Sequence, residues 1–172
     1  ELDLLAGGPP CQGFSKNVPR KNRSKDSDNN QLIYRYLAFC KAFKPKYIMM
    51  ENVAEMANGF DSHYTDLIIR ELRSLKYNVL HGVHNAADYG IPQKRRRAFF
   101  IARNDDKPLK EPVPTHSSSK EATLFETQTH ISVWDAISDL PSLKNGEGTD
   151  LTKYRSAPKN DFQAKMRLSQ KE

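Results

Sequence analysis

The sequence predicts an α/β fold built on a mainly parallel, doubly wound sheet, and three observations carry that expectation. Short apolar runs alternate with stretches of helical spacing in the order strand, helix, strand, helix, strand, the pattern of right-handed crossover units covered on both faces. Polar clusters follow the first two strands directly, at Cys11-Gln12 and at Glu51-Asn52, as expected where ligands gather at the carboxyl ends of strands. The 172 residues suit one domain large enough to bury a core.

Leu2, Leu4 and Leu5 make an apolar run closed by Gly7-Gly8-Pro9-Pro10, which reads as a buried parallel strand delivering a loop. The run has no preceding cap, linker or initiator Met, which predicts a start inside a larger protein. Residues 15–30 are almost free of core side chains and carry Lys16, Arg20, Lys21, Arg23 and Lys25, a cationic loop. Leu32, Ile33, Tyr36, Leu37, Cys40 and Phe43 recur at helical spacing, so the spacing predicts an amphipathic helix over residues 31–43, ended by Lys44-Pro45. Cys40 falls on its apolar stripe and reads as a buried structural thiol. Tyr47 to Met50 form a second strand, with Glu51-Asn52-Val53 at its carboxyl end. Tyr64, Leu67, Ile68, Leu72 and Leu75 mark a second helix entered near Asp61-Ser62. Residues 77–83 and 98–102 read as the third and fourth strands. Beyond Arg103 a Pro- and charge-rich stretch ends in Ser117-Ser118-Ser119, the mark of a linker. Residues 132–140 predict a short helix with Val133, Trp134, Ile137 and Leu140 on one side, whereas residues 149–172 hold too few apolar side chains to predict a core. This last part is expected to need something the chain does not supply.

Composition removes several classes of function. Lys and Arg number 27 against 21 Asp and Glu, a net charge of +6, and the pI is near 9.3, which favours a polyanionic partner. Cys11 and Cys40 stand 29 residues apart without CxxC spacing, against both a disulfide scaffold and a zinc knuckle; no metal is expected, and the reducing cytoplasm is the predicted compartment. No run approaches the length of a membrane span and no basic segment followed by an apolar run opens the chain, so transmembrane and secreted readings are not expected.

Three polar clusters can carry chemistry: Pro10-Cys11-Gln12-Gly13-Phe14-Ser15, Glu51-Asn52-Val53 and Gln93-Lys94-Arg95-Arg96-Arg97. Singly each has a plain explanation, since a cysteine can end a strand, a carboxylate can cap a helix and a basic run is often a solvated face. Together, in this order and 40 and 42 residues apart, they resemble the signature of the cytosine-5 DNA methyltransferases: a PCQ nucleophile loop, an ENV carboxylate and a QxRxR basic strand. Residues 85–97, reading NAADYGIPQKRRR, extend the likeness. Each separation is about one strand-helix-strand unit, so the clusters are expected on neighbouring strands along one rim.

The resemblance implies the fold of the S-adenosylmethionine-dependent methyltransferases, Rossmann-like and here incomplete, with a methyl group passing from S-adenosylmethionine to carbon 5 of cytosine. Cys11 matches the thiolate that adds to carbon 6. A free thiol ionises near pH 8.5, so nearby positive charge would raise its reactive fraction, a part open to Arg95 and Arg97. Glu51 matches the carboxyl group that hydrogen-bonds ring nitrogen 3 as negative charge develops, and Arg97 the contact to the cytosine carbonyl oxygen. Gln93 and Arg95 would help hold the loop, the substrate or the backbone; alternation along a strand would put Gln93, Arg95 and Arg97 on one face. Asn52 reads as a structural hydrogen-bonding residue. The target base must leave the duplex stack to be reached, and Gln12, Ser15, Lys16 and Arg20 lie where the family has its DNA-contacting loop, with phosphate contacts giving affinity without sequence choice.

Pro10 and Leu32 match positions lining the family's cofactor pocket, although composition alone makes Leu32 plain helix core. The Gly-rich first motif of the family would precede Glu1. The likeness gives residues 1–103 as the catalytic part of a methyltransferase domain, 104–131 as a linker and 132–172 as the start of an incomplete target-recognition region. Short intervals between motifs point to a bacterial modification enzyme, with duplex DNA as partner, a cognate restriction endonuclease beside it and, if the enzyme is split, a second chain; the isolated fragment is expected to be inactive. A transfer RNA methyltransferase and a noncatalytic nucleic-acid-binding fragment are the alternatives. A cysteine-histidine hydrolase is more remote, because His63, His81, His84, His116 and His130 sit in no partner motif.

Overall fold

A computed structural model describes residues 2–10, 31–58, 62–105, 107–118 and 127–168. The chain divides into two compact units, one of residues 1–85 and 96–113 and one of residues 86–95 and 114–172.

In the first unit, four strands among the described residues, β1 (Leu4–Gly7), β2 (Tyr47–Val53), β3 (Asn78–Asn85) and β4 (Arg96–Arg103), form one sheet in the order β1-β2-β4-β3. β1 and β2 pair in parallel, while β4 lies antiparallel to both β2 and β3. Three strands therefore run one way and β4 runs against them, so the sheet is mixed where a mainly parallel one was expected. The reason lies in chain length: only ten residues separate Asn85 from Arg96, fewer than a parallel crossover needs.

Helices α1 (Gln31–Phe43) and α2 (His63–Ser74) supply the apolar layer. Ile33, Tyr36, Leu37 and Cys40 of α1, at the expected spacing, join Tyr64, Leu67, Ile68 and Leu72 of α2 over Ile48, Met50, Ala98, Phe100 and Ala102 of the sheet in one core. Phe43 stays exposed and stacks on Phe39. α1 ends at Lys44, in a left-handed conformation ahead of Pro45, where the sequence places the stop. Along β2 the burial alternates, Ile48, Met50 and Asn52 facing the helices while Tyr47 and Met49 remain exposed. Expected cover on both faces thus reduces, among the described residues, to a single helix-covered face.

Tyr36 reaches from α1 to the strands, its hydroxyl donating to Leu5 O and Met49 O at 3.1 and 3.0 Å. Gly7 lies directly on its ring, where a Cβ would come within 2.7 Å of Tyr36 Cε2. The β1–β2 pair is thereby fixed from below by one side chain.

The second unit is built differently. β5 (His116–Ser117) and β6 (Gln128–Thr129) form a short parallel ladder, and His130 Nε2 meets Asp88 Oδ1 at 2.8 Å. α3 (Val133–Ile137) opens on a capping box between Ser132 and Asp135, whose hydroxyl and backbone bonds hold the Asp135 carboxyl below its ordinary range. α4 (Asp161–Leu168) starts at Asn160, whose Oδ1 accepts from Gln163 N–H in the manner of an N-cap. Gln163 is buried and donates to Asp135 O and Ser138 Oγ, and Arg167 pairs with the buried Asp139 carboxylate. The apolar residues expected on one side of α3 are exposed, Trp134 at 69 %. Buried polar contacts, not an apolar stripe, hold α3 to α4.

Candidate active site

The carboxyl end of β1, the carboxyl end of β2 and the amino end of β4 share one rim, because β4 runs against its neighbours. Register fixes the geometry: Gly7 lies opposite Met50, Glu51 opposite Phe99 and Val53 opposite Arg97. Side chains of Glu51 and Arg97 then project from adjacent strands on the same face, and Arg97 Nε meets Glu51 Oε1 at 2.8 Å. The pair is partly open to solvent, 23 % exposed at Arg97 and 38 % at Glu51, so a ligand can reach a carboxylate already oriented by a guanidinium. Arg97 also donates through Nη1 to Arg96 O at 2.8 Å.

The segment leaving β1 runs beside this pair. A Cβ on Gly8 would stand 3.5 Å from both Glu51 O and Glu51 Oε2, so the backbone there passes in ordinary contact with the carboxylate. Asn52, buried on the helix face, donates from Nδ2 to Pro9 O at 2.8 Å and accepts from Val53 N–H at 2.9 Å. Three segments far apart in sequence, 8–10, 51–53 and 96–97, thus meet within one unit.

Other expected site residues fall elsewhere. Cys11, Gln12, Ser15, Lys16 and Arg20 lie outside the described residues. Pro10 is exposed at the rim. Leu32, in the first turn of α1, is 39 % exposed beside the fully buried Ile33, so it is not the plain core side chain that composition suggests. Gln93 and Arg95 are exposed and belong to the second unit. β4 begins only at Arg96, after a turn in which Gln93 N–H donates to Ile91 O and Arg95 O accepts from Ala86 N–H. The expected one-face alternation of Gln93, Arg95 and Arg97 fails for that reason. Pro92 and the left-handed Gly90 keep these residues out of a ladder. Among the described residues no three His, Cys, Asp or Glu side chains gather as a metal-binding group, and no helix is long and apolar enough to cross a membrane.

Glu51 and Arg97 thus share one rim, as motif order leads one to expect for these two residues. The profile of C-5 cytosine-specific DNA methylases matches residues 1–172. The chain belongs to this family. It is 38 % identical over 170 residues to the Type II methyltransferase M.DdeI of Desulfomicrobium norvegicum, covering 97 % of this chain and 39 % of that protein. It is 32 % identical over 189 residues to the DNA (cytosine-5)-methyltransferase PliMCI of Paracentrotus lividus, covering 99 % of this chain and 12 % of that one. The chain therefore spans well under half the length of either relative. Among solved structures it resembles a candidate DNA modification methyltransferase encoded within an E. coli prophage, with TM-score 0.58 and 28 % identity, over 82 % of this chain and 36 % of that one. The methylase family and its α/β methyltransferase fold thus stand together on sequence and structure.

Asn52, expected to be a structural hydrogen-bonding residue, is one. Its signal was its place between Glu51 and the strand end, but the partner, Pro9 O, becomes visible only once β1 and β2 are in register.

Proposed function

We propose that the protein carrying this chain transfers a methyl group from S-adenosylmethionine to carbon 5 of a cytosine flipped out of duplex DNA, through a covalent adduct with Cys11. The observation that carries this reading is the 2.8 Å Arg97–Glu51 pair standing beside the segment that leads into Cys11. Carbon 5 of cytosine is a weak nucleophile and needs activation. The Cys11 thiolate forms a bond to carbon 6, and the electron pair of the 5,6 double bond moves into the ring. Glu51 stabilises that charge at nitrogen 3, and Arg97, anchored on Glu51, meets the carbonyl oxygen. S-adenosylmethionine, when bound, supplies the electrophilic methyl group that carbon 5 takes up. Loss of the carbon 5 proton to a base then lets the thiolate leave and the double bond return.

What the described residues offer a methyl donor is apolar wall: Pro10 at the rim and Leu32, whose exposure leaves it available. The likeness to the family assigns both to the wall of the cofactor pocket. Lys16 and Arg20, with Gln12 and Ser15, suit contacts to duplex phosphates and to the gap the base leaves, and Gln93 and Arg95 suit support of the loop and backbone. Residues 1–103 form the catalytic part in this reading, 104–131 a connection and 132–172 the start of target recognition. The likeness to a Type II methyltransferase over 97 % of the chain supports a restriction-modification setting with a cognate endonuclease.

Methyl-labelled donor offered to the native protein with duplex DNA and, separately, with transfer RNA tests the substrate. Label in DNA as 5-methylcytosine is the expected result. Label in transfer RNA alone, or DNA binding with no transfer to either acceptor, contradicts it.

A further inference from the structure

We propose that Asn52 is a positioning residue for the nucleophile, fixing the peptide from which Cys11 departs; the inference rests on the reading of Cys11 given above. Pro9 and Pro10 have no backbone N–H, so once β1 ends at Gly7 the strand ladder cannot hold this segment through its donors. Its carbonyls are the handles left, and Asn52 takes one of them: Nδ2 donates to Pro9 O at 2.8 Å, two residues before Cys11. The same side chain accepts from Val53 N–H at 2.9 Å. The neutral amide donates to one backbone and accepts from another; an ionised aspartate has no proton to give, and an aliphatic side chain would leave both groups unpaired.

The placement makes the link specific. Asn52 follows Glu51 in the chain and faces the helices, while Glu51 faces Arg97, so one dipeptide at the end of β2 orients the carboxylate on one side and the nucleophile segment on the other. Asn52 is buried, which shields its bond to Pro9 from water. With Pro9 O released, the segment would keep its fold but lose its distance to the rim, and a misplacement near 1 Å costs about 100-fold in rate.

Exchange at carbon 5 measures the addition step without the methyl donor. When the thiolate adds to carbon 6, carbon 5 takes a proton from water, and elimination after loss of the original hydrogen releases it to solvent. Duplex DNA tritiated at carbon 5 of cytosine is the probe, and the native protein, Cys11→Ser and Asn52→Asp are compared. Asn52→Asp keeps the acceptor for Val53 N–H and sets a carboxylate against Pro9 O. Its exchange and its kcat for methylation should fall together by about 100-fold, while KM for DNA stays near that of the native protein and Tm falls, since a buried carboxylate facing a carbonyl costs stability. Exchange at the native rate in Asn52→Asp overturns the proposal. Where Asn52→Asp melts early, Asn52→Ser is read as rate per active site trapped on 5-fluorocytosine DNA, which counts only folded protein; a native rate per site again overturns it. Exchange that survives Cys11→Ser overturns instead the reading of Cys11, so the two failures are distinguishable.

Discussion

Glu51 illustrates how much a single carboxylate depends on its partner. Arg97 takes Oε1, and that contact sets the direction in which the carboxyl group faces; in the proposed reaction it faces the base. Glu51→Gln keeps the shape and removes the acid, so methyl transfer should fall by about 100-fold or more with DNA affinity little changed; steady-state kinetics on duplex DNA would show a drop in kcat, and a normal kcat would remove Glu51 from the chemistry. Cys40 is the opposite case. It is fully buried on α1, and burial pushes its thiol up to about 11 from an ordinary value near 9. The folded chain keeps a proton that the unfolded chain would release, so its contribution to stability is full below about pH 9 and is lost as pH rises toward 11. Burial also raises Tyr36 and Tyr77 from an ordinary value near 10, which adds to the loss from about pH 10 upward. Urea titrations across that range should show stability falling, with part of the slope absent in Cys40→Ala; identical slopes would contradict a neutral buried thiol. Helical spacing made the buried Cys40 legible in the sequence, and motif order singled out Glu51. The bond from Asn52 to Pro9 was not legible there, because a hydrogen bond across 43 residues depends on strand register.

Elements follow the same division. The 3.6-residue spacing marks α1 and α2 with their buried faces, since apolar stripes are local properties of the chain. Strand direction is a property of connections, and the ten residues between β3 and β4 are the feature that turns β4 around and brings Arg97 to the rim that holds Glu51. α4 escaped an apolar search because its anchor is Gln163, though Asn160 as cap, Asp161 in its first turn and Lys165 and Arg167 in its last turn were visible. The β1–β2 pair has its own test. A methyl group at Gly7 would meet a Tyr36 ring that cannot swing aside without giving up its bonds to Leu5 O and Met49 O. Gly7→Ala should cost about 1–3 kcal/mol, seen as a lower urea midpoint with unchanged m; a midpoint equal to the native one would show that Tyr36 does not brace the strands.

At the scale of the molecule, a mixed sheet brings segments 8–10, 51–53 and 96–97 to one edge. The strand order β1-β2-β4-β3 puts the segment before Cys11, the Glu51-Asn52 dipeptide and Arg97 on successive strands. A net charge of +6 suits the polyanion that edge would receive. Such convergence has one chemical purpose in the proposed reaction, the meeting of a thiolate and a carboxyl group on one cytosine ring. The native protein incubated with methyl donor and a duplex carrying 5-fluorocytosine measures that meeting directly, because fluorine at carbon 5 blocks the final elimination and leaves the adduct in place. A denaturant-stable complex is expected, with the nucleotide mapped by mass spectrometry to the peptide of Cys11 and absent in Cys11→Ser. An adduct on Cys40, an adduct that survives Cys11→Ser, or methyl transfer to cytosine with no adduct at all would contradict it.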